Sequence, residues 1–249
     1  METIEQKKIK ATFGGVMGHG WDTMVKYFLV LLLVVIVMGI IHAPMSVGDL
    51  NANLGDLKIN NWDHFNDFDF NWFNPGIAVV GMLAFVLGII ALAYWFLVIP
   101  VFKYGSDLMF VHAARGTRPQ FESLISGFKQ NYLYIVLANL LTGALVMLGF
   151  IFLFIPGIII ACRLAFVSYL VMDKKLDPIM AVEESWRLTR GHGWTIFFMA
   201  IVAFFLGIVG FIMIFVGILP VTMWVKSSFA SLYEAALQEK NAQPEPVAA

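Results

Sequence analysis

Four long apolar runs alternate with shorter polar segments along the chain. The first two runs cover residues 21–43 and 75–104, and each is long enough for one helix to cross the roughly 30 Å hydrocarbon core of a bilayer. The last two runs, 132–172 and 194–233, contain about 40 residues each, roughly twice the length that one crossing requires. The pattern therefore predicts an all-α fold, a polytopic membrane helix bundle.

Each of the two longest runs contains helix-breaking residues near its middle. Pro156 and Gly157 interrupt the first, and the stretch from Gly217 to Pro220 interrupts the second. Proline lacks a backbone donor and disfavours helix in the residue before it, but it fits the first turn of a new helix. We interpret each run as a helical hairpin, which brings the predicted total to about six transmembrane helices.

Basic residues are distributed unevenly between the polar segments. The loop at 44–75 has one basic residue, Lys58, against five aspartates, and the two hairpin tips carry no charge. The other segments are basic: they contain Lys7, Lys8 and Lys10, then Lys103, Arg115, Arg118 and Lys129, then Lys174, Lys175, Arg187 and Arg190. Since Lys and Arg favour the cytoplasmic side, both termini are predicted to be cytoplasmic, with the acidic loop and the hairpin tips outside.

The basic segments also carry apolar residues at helical spacing, which is typical of helices at a membrane surface. In the leader, for example, Ile9, Phe13 and Val16 share one helical face. The chain is therefore divided into a cytosolic amphipathic leader at 1–20, two crossings within 21–104 that enclose the insertion at 44–75, a cytosolic amphipathic segment at 105–131, a hairpin at 132–172, a cytosolic amphipathic helix at 173–193, a hairpin at 194–237 and a disordered tail at 238–249.

Composition supports this class and argues against several functions. Hydrophobic residues make up 60% of the chain, charged residues 13%, and the mean hydropathy is +0.81, whereas soluble domains are roughly 25% charged. A net charge of -1 indicates no nucleic-acid partner. Cys162 has no second cysteine to pair with, and the spacings of known catalytic and metal-binding motifs are absent. We expect no enzyme activity, no cofactor and no metal site.

The chain also contains internal repeats. The tetrapeptide Gly-His-Gly-Trp occurs at 18–21 and again at 191–194, and a shift of 61 residues places Gly-Phe-Ile at 149–151 on the same three residues at 210–212. Repeats of this length indicate an array of similar structural units. We interpret the chain as three parallel units, each consisting of a cytosolic amphipathic helix followed by a transmembrane hairpin.

The second half of the chain resembles a known family. The residues that carry the likeness are Leu-Phe-Ile-Pro-Gly-Ile at 153–158, Arg-Leu-Ala-Phe-Val at 163–167, Asp-Pro-Ile-Met-Ala at 177–181, Ser-Trp-Arg-Leu-Thr-Arg-Gly-His at 185–192, and Tyr233. They resemble the YciC-like bacterial inner-membrane proteins and are similar to the membrane domain attached to some glycerophosphodiester phosphodiesterases. The resemblance implies a six-helix protein of the bacterial inner membrane whose function is largely unassigned. No phosphodiesterase catalytic domain is present, so that activity is not implied.

Each of the two hairpin runs contains one cation. Arg163 and Lys226 each follow a hairpin tip by about six residues, roughly 9 Å along a helix. Three interpretations remain open for them: structural anchoring by extension to the headgroups, binding of anionic lipid headgroups, or a transport pathway. The two hairpin runs contain no acidic residue, so we expect neither cation to have an acidic partner within a span. Both are therefore lipid or anion-binding candidates.

The repeated tetrapeptide places His19 and Trp21, and likewise His192 and Trp194, at the start of apolar runs. We interpret both copies as hinges at which the chain turns into the membrane, with the tryptophans at headgroup level.

The acidic loop alternates acidic and aromatic residues. It is predicted to rest on the membrane surface, to contact another protein or to hold a cation, and its contact candidates are Asp63, Asp67, Asp69 and Trp72.

These observations favour a non-enzymatic integral membrane protein that acts as a scaffold or accessory subunit of a membrane complex, or that organises lipid. The alternative is a small transporter for an anionic or amphiphilic substrate, favoured by the repeats and the intramembrane cations. Expected partners are membrane lipids and either other subunits or further copies of the chain.

The predicted topology can be tested with a reporter enzyme that is active only outside the cytoplasm. Fused after Asp56, in the acidic loop, the reporter should be active, because the loop lies between two crossings that start and end at basic segments. The same reporter fused after Lys175 should be inactive. Activity after Lys175 and none after Asp56 would invert the predicted orientation.

Overall fold

The computed structural model describes residues 9–46, 75–130, 132–212 and 217–242, and these contain helices and turns without any strand. The helices are α1 (Phe13–Lys26), α2 (Phe28–Ser46), α3 (Pro75–Ala93), α4 (Ile99–Ala114), α5 (Glu122–Gln130), α6 (Tyr132–Phe152), α7 (Phe154–Arg163), α8 (Val167–Asp173), α9 (Pro178–Leu188), α10 (Gly193–Ile212) and α11 (Ile218–Ala242). The all-α class is therefore confirmed for this part of the chain.

Four helical segments among the described residues are long and apolar enough to cross a membrane: Gly81–Ala114, Tyr132–Phe152, Phe154–Asp173 and Gly193–Ile212. A fifth arises if α1 and α2 together count as one bent span. The sixth expected crossing, α11, does not reach this hydropathy. It buries serines such as Ser227 and Ser231 together with Glu234, because most of its faces contact other helices of the bundle.

The beginning of the first predicted span differs from expectation. The helix that contains Trp21 starts at Phe13, and α1 and α2 meet at an angle of 93°. The change of direction occurs at Tyr27, whose hydroxyl donates to the carbonyl of Gly116 at the far end of α4. The amphipathic leader and the first apolar run are thus divided at Tyr27, six residues beyond the boundary that hydropathy indicated.

The second span is longer than predicted. The chain stays helical from α3 through a π-helical turn at Tyr94–Val98 into α4, so the helix continues ten residues past Tyr104. The π turn ends two residues before Pro100. A proline inside a helix removes a backbone donor, and irregular turns of this kind accompany such interruptions. Ser106 and Asp107 lie in this extension, and both are buried.

The hairpin tips are close to the predicted breakers. Leu153 is extended and separates α6 from α7, so that Pro156 occupies the first turn of α7. A Cβ at Gly149 would lie 2.9 Å from the Cα of Gly157, because the two helices touch at this point. In the last hairpin Gly210 likewise approaches the backbone of Gly217.

The second helix of the hairpin at 132–172 is interrupted between α7 and α8, where a single helix was expected. Ser185 of α9 fills the break: its hydroxyl donates to the carbonyl of Arg163 at 2.8 Å and accepts from the amide of Phe166 at 3.2 Å. These bonds satisfy backbone groups that the interruption leaves without intrahelical partners. The break is therefore a tertiary feature that depends on α9.

Helix α11 forms the centre of the bundle, with α1 packed antiparallel along it. Residues 17–20 of α1 lie against residues 224–228, and the amide of Ile9 donates to the side chain of Gln238. The helix continues to Ala242, so the first residues of the predicted disordered tail, 238–242, are helical. A contact between Glu239 and His192 and an ion pair between Lys240 and Glu184 hold this end against α9 and its C-terminal turn.

Glycine is required at one of two neighbouring positions in α1. A Cβ at Gly20 would lie 2.3 Å from the Ser228 hydroxyl oxygen and 2.7 Å from its Cα, whereas a Cβ at Gly18 meets nothing within 4 Å. We expect Gly20→Ala to destabilise the protein by about 1–3 kcal/mol through overpacking. Gly18→Ala should be neutral or slightly stabilising, because alanine favours helix. Thermal unfolding in mild detergent measures both, and equal midpoints for the two variants would show that α1 does not pack against α11 in this way.

Candidate functional site

Two ion pairs join α4 and α11. Asp107 accepts from the ammonium group of Lys226 at 3.2 Å, and Arg115 donates to Glu234 at 2.8 Å. From the first pair to the second, the residue number rises by eight on α4 and by eight on α11, so the two helices run in the same direction. The pairs form two charged layers about 12 Å apart along the helices.

Arg115 connects three helices. It lies directly after α4 and forms two hydrogen bonds with the carboxylate of Asp173, the last residue of α8, at 2.5 and 2.7 Å. Its Nε donates to Glu234 of α11, so one guanidinium satisfies two buried carboxylates. Bidentate guanidinium–carboxylate bonds are among the stronger polar contacts in proteins, and they fix orientation as well as distance. We call Arg115, Asp173, Glu234 and Tyr233 the charged hub.

Aromatic rings surround the charged hub on one side. The Tyr233 hydroxyl donates to Asp173 at 2.9 Å, and its ring stacks on Tyr169 with 5.2 Å between centroids. Burial alone would lower the pKa of Arg115, but the hydrogen bonds and charges of Asp173 and Glu234 outweigh it and raise that pKa above its ordinary value. Arg115 is therefore a permanent cation that two buried carboxylates require.

Lys226 is hydrogen bonded within the charged layer that contains Asp107. Its ammonium group donates to the Ser106 hydroxyl at 2.9 Å as well as to Asp107, and it lies 5.5 Å from the ring centre of Phe110. The expectation that neither cation has an acidic partner within a span was therefore wrong for Lys226. Asp107 was missed because the hydropathy pattern ended the second span at Tyr104, whereas the helix continues through it.

Arg163 has different surroundings. It ends α7, and its guanidinium lies 5.8 Å from the ring centre of Trp186 on α9. Its Nη1 is buried and forms no hydrogen bond with the described residues. Of the two cations singled out in the sequence, Lys226 is neutralised within the bundle, while Arg163 retains a buried donor without an acceptor.

The first Gly-His-Gly-Trp copy lies inside α1 and contacts α11. His19 hydrogen bonds to the Ser231 hydroxyl at 2.9 Å, and Trp21 packs edge-on against Trp224 at 5.2 Å. The indole nitrogen of Trp224 donates to the carbonyl of Met17. The tetrapeptide forms a helix–helix contact, and the chain bends only later, at Tyr27.

The second copy forms the turn between α9 and α10. Gly191 has a positive φ of 86°, a conformation that glycine adopts without steric cost, and α10 begins at Gly193. His192 contacts Glu239 at 3.1 Å, and Trp194 is 73% exposed at the start of an apolar helix. The two copies therefore have different local structures, and a change of direction occurs at the second copy only.

The remaining candidates, Asp63, Asp67, Asp69 and Trp72, lie outside the described residues. Within the described ranges, no group of three or more His, Cys, Asp or Glu side chains is arranged to hold a metal ion.

Comparison with known proteins adds no family or relative. No family model matches the chain, no curated protein matches it, and no solved structure matches its fold.

The charged hub was not predicted from the sequence. Its residues come from three separate segments, and Asp173 and Arg115 lie in stretches that were interpreted as cytosolic surface. One signal was nevertheless present: Asp107 and Arg115 have the same spacing as Lys226 and Glu234, with the signs reversed. Such complementary spacing is what two parallel neighbouring helices require.

The charged hub predicts a large difference between two nearby arginines. Arg115→Gln leaves two buried carboxylates without their cation, and we expect a loss of about 3 kcal/mol in the free energy of unfolding. Arg118→Gln removes the same charge at an exposed position and should change stability by less than about 0.5 kcal/mol. Unfolding in mild detergent compares them, and an Arg115→Gln protein as stable as the Arg118→Gln protein would show that the hub contributes little.

Proposed function

We propose that this chain is a non-enzymatic integral membrane protein that serves as a scaffold or accessory subunit of a membrane complex and organises lipid around it. The observation that carries the proposal is the pairing of polar groups in the interior. Lys226 is bonded to Asp107, and Arg115 is bonded to Asp173 and Glu234. Charges that satisfy one another fix the arrangement of helices, which is what a structural role needs.

The outer surface of the bundle supports the same proposal. Long apolar side chains are exposed along α3 and α10, where a bilayer or another membrane helix would cover them. The surface helices expose apolar residues as well, for example Ile125 on α5 and Ile179 on α9. Exposed Trp194 follows α9 directly, which fits a helix at the headgroup level.

The proposed arrangement is six crossings in three parallel units, with both termini in the cytoplasm of a bacterium and the bundle in its inner membrane. Three observations support it. Helices α4, α8 and α11, the last of each proposed unit, meet at the charged hub: α4 and α8 end at it, and α11 contributes Glu234. Both proline-containing breakers lie in the first turn of a helix, and a glycine at each tip touches the opposite helix.

Membership of the YciC-like family belongs to this proposal. It rests on the residues between 153 and 233, several of which have structural roles here. Ser185 and Thr189 satisfy the break after Arg163, and Gly191 adopts the positive φ of the turn that follows.

Transport of an anionic or amphiphilic substrate is the second candidate, and one observation favours it. Asp107 of the Lys226–Asp107 pair lies within the span Gly81–Ala114, and ionisable residues inside spans often belong to ion or substrate pathways. In that case the pair would have to separate during each cycle.

Purification from the native membrane in mild detergent, followed by native mass spectrometry, tests the scaffold proposal. We expect the tagged chain to retain other proteins in fixed stoichiometry. A particle that contains only copies of this chain around a hydrated cavity would contradict the proposal and favour transport.

Variants of the Lys226–Asp107 pair sharpen this test. Replacing both partners, as Lys226→Met with Asp107→Asn, removes the charges together, which is often close to neutral for stability. A scaffold should therefore keep its co-purifying proteins in the double variant. Lys226→Met alone leaves Asp107 unpaired and should lower the unfolding midpoint, which provides the matched comparison.

A further inference from the structure

An apolar groove runs between α7 and α10 on the outside of the bundle. It has a volume of about 720 Å³, within the range of about 300–1,000 Å³ that is usual for small-molecule sites. One end is formed by Phe150, Phe154 and Phe205, near the hairpin tips. The other end is formed by Ala165 and Ile196, close to the turn between α9 and α10. The groove thus extends along much of the length of two membrane-spanning helices.

Arg163 adjoins the second end of this groove in the chain. Cys162, directly before it, and Ala165, two residues after it, both line the groove. Its position is fixed, because its carbonyl accepts from Ser185 at 2.8 Å and its guanidinium lies over Trp186. The guanidinium forms no hydrogen bond or ion pair with the described residues, and one of its nitrogens is buried. An unpaired cation of this kind is costly in a protein interior, so its presence requires an explanation.

The carboxylate of Glu184 on α9 does not compensate the charge of Arg163. The carboxylate of Glu184 is bonded to Lys240 and to Arg187. The groove itself is lined by aromatic and aliphatic side chains and Cys162, which supply no anion. An occupant that fits both features needs an apolar chain and a negative group at one end.

We propose that the groove and Arg163 form a binding site for one anionic phospholipid, with an acyl chain between α7 and α10 and the phosphate on the Arg163 guanidinium. This inference rests on the proposed membrane location and adds to it a defined lipid site. Guanidinium groups bind phosphate through paired N–H donors, and the ring of Trp186 holds the cation from its other side. A lipid with a net negative charge is preferred, because a zwitterionic headgroup brings its own cation.

The site can be tested on the full chain, purified in mild detergent, by native mass spectrometry during titration with dioleoylphosphatidylglycerol. We expect one tightly held lipid on the unaltered protein and clearly weaker binding of dioleoylphosphatidylcholine. Arg163→Gln should weaken the first binding step about tenfold, since it removes a charge-assisted hydrogen bond. Arg163→Lys, which keeps the charge, should retain part of the affinity.

Two pairs of variants separate the roles of charge and groove. Arg118→Gln removes a cation from an exposed turn and should leave the first binding step unchanged. Ala200→Phe fills the groove from α10 and should weaken binding, whereas Val209→Phe adds bulk at an exposed position of the same helix outside the groove and should not. The unfolding midpoint of each variant establishes that it is folded.

Several outcomes would overturn the proposal. Equal affinity of the Arg163→Gln and unaltered proteins would show that Arg163 does not bind the headgroup. Equal affinity for both lipids, or no effect of Ala200→Phe, would also contradict it. Displacement of the lipid by millimolar inorganic phosphate would indicate a site for a small free anion instead. Because these measurements use the isolated chain, they remain informative even if no other subunit co-purifies.

Discussion

The guanidinium of Arg115 joins the ends of α4 and α8 to Glu234 of α11. In a bilayer, apolar contacts between helices provide little preference for one arrangement, since lipid tails are as apolar as the side chains of the helices. Arg115 changes this because it has one geometry in which it satisfies Asp173 and Glu234 together. The register of α4 against α11 follows from it, and the second layer at Asp107 and Lys226 repeats that register about 12 Å away.

The central position of α11 is a consequence of these charged contacts. A helix that carries Lys226, Glu234 and several serines would be poorly stable facing lipid, so it is surrounded by α1, α4 and α10. Small residues then allow close packing: Gly20 touches Ser228, and the serine hydroxyls bond to carbonyls within their own helix. The result is a polar-centred bundle whose outer surface is apolar.

Arg163 differs from the other buried charges because the bundle does not neutralise it. Its backbone is held by Ser185 and its side chain lies over Trp186, yet a buried donor has no acceptor in the described residues. The neighbouring groove is apolar and open at the outer surface of the bundle. These properties explain why the two cations that look equivalent in the sequence, Arg163 and Lys226, are assigned different roles.

The sequence by itself determined the helical class, the apolar spans and the approximate hairpin tips, because hydropathy and proline act locally along the chain. It also placed Arg163 and Lys226 within apolar runs. Only the tertiary structure decided that Asp107 neutralises Lys226, that Arg115 binds Asp173 and Glu234, and that the two Gly-His-Gly-Trp copies adopt different conformations. Each of these depends on contacts between residues far apart in sequence. Such contacts are set by which helices become neighbours, and hydropathy gives the same pattern whichever neighbours a helix has.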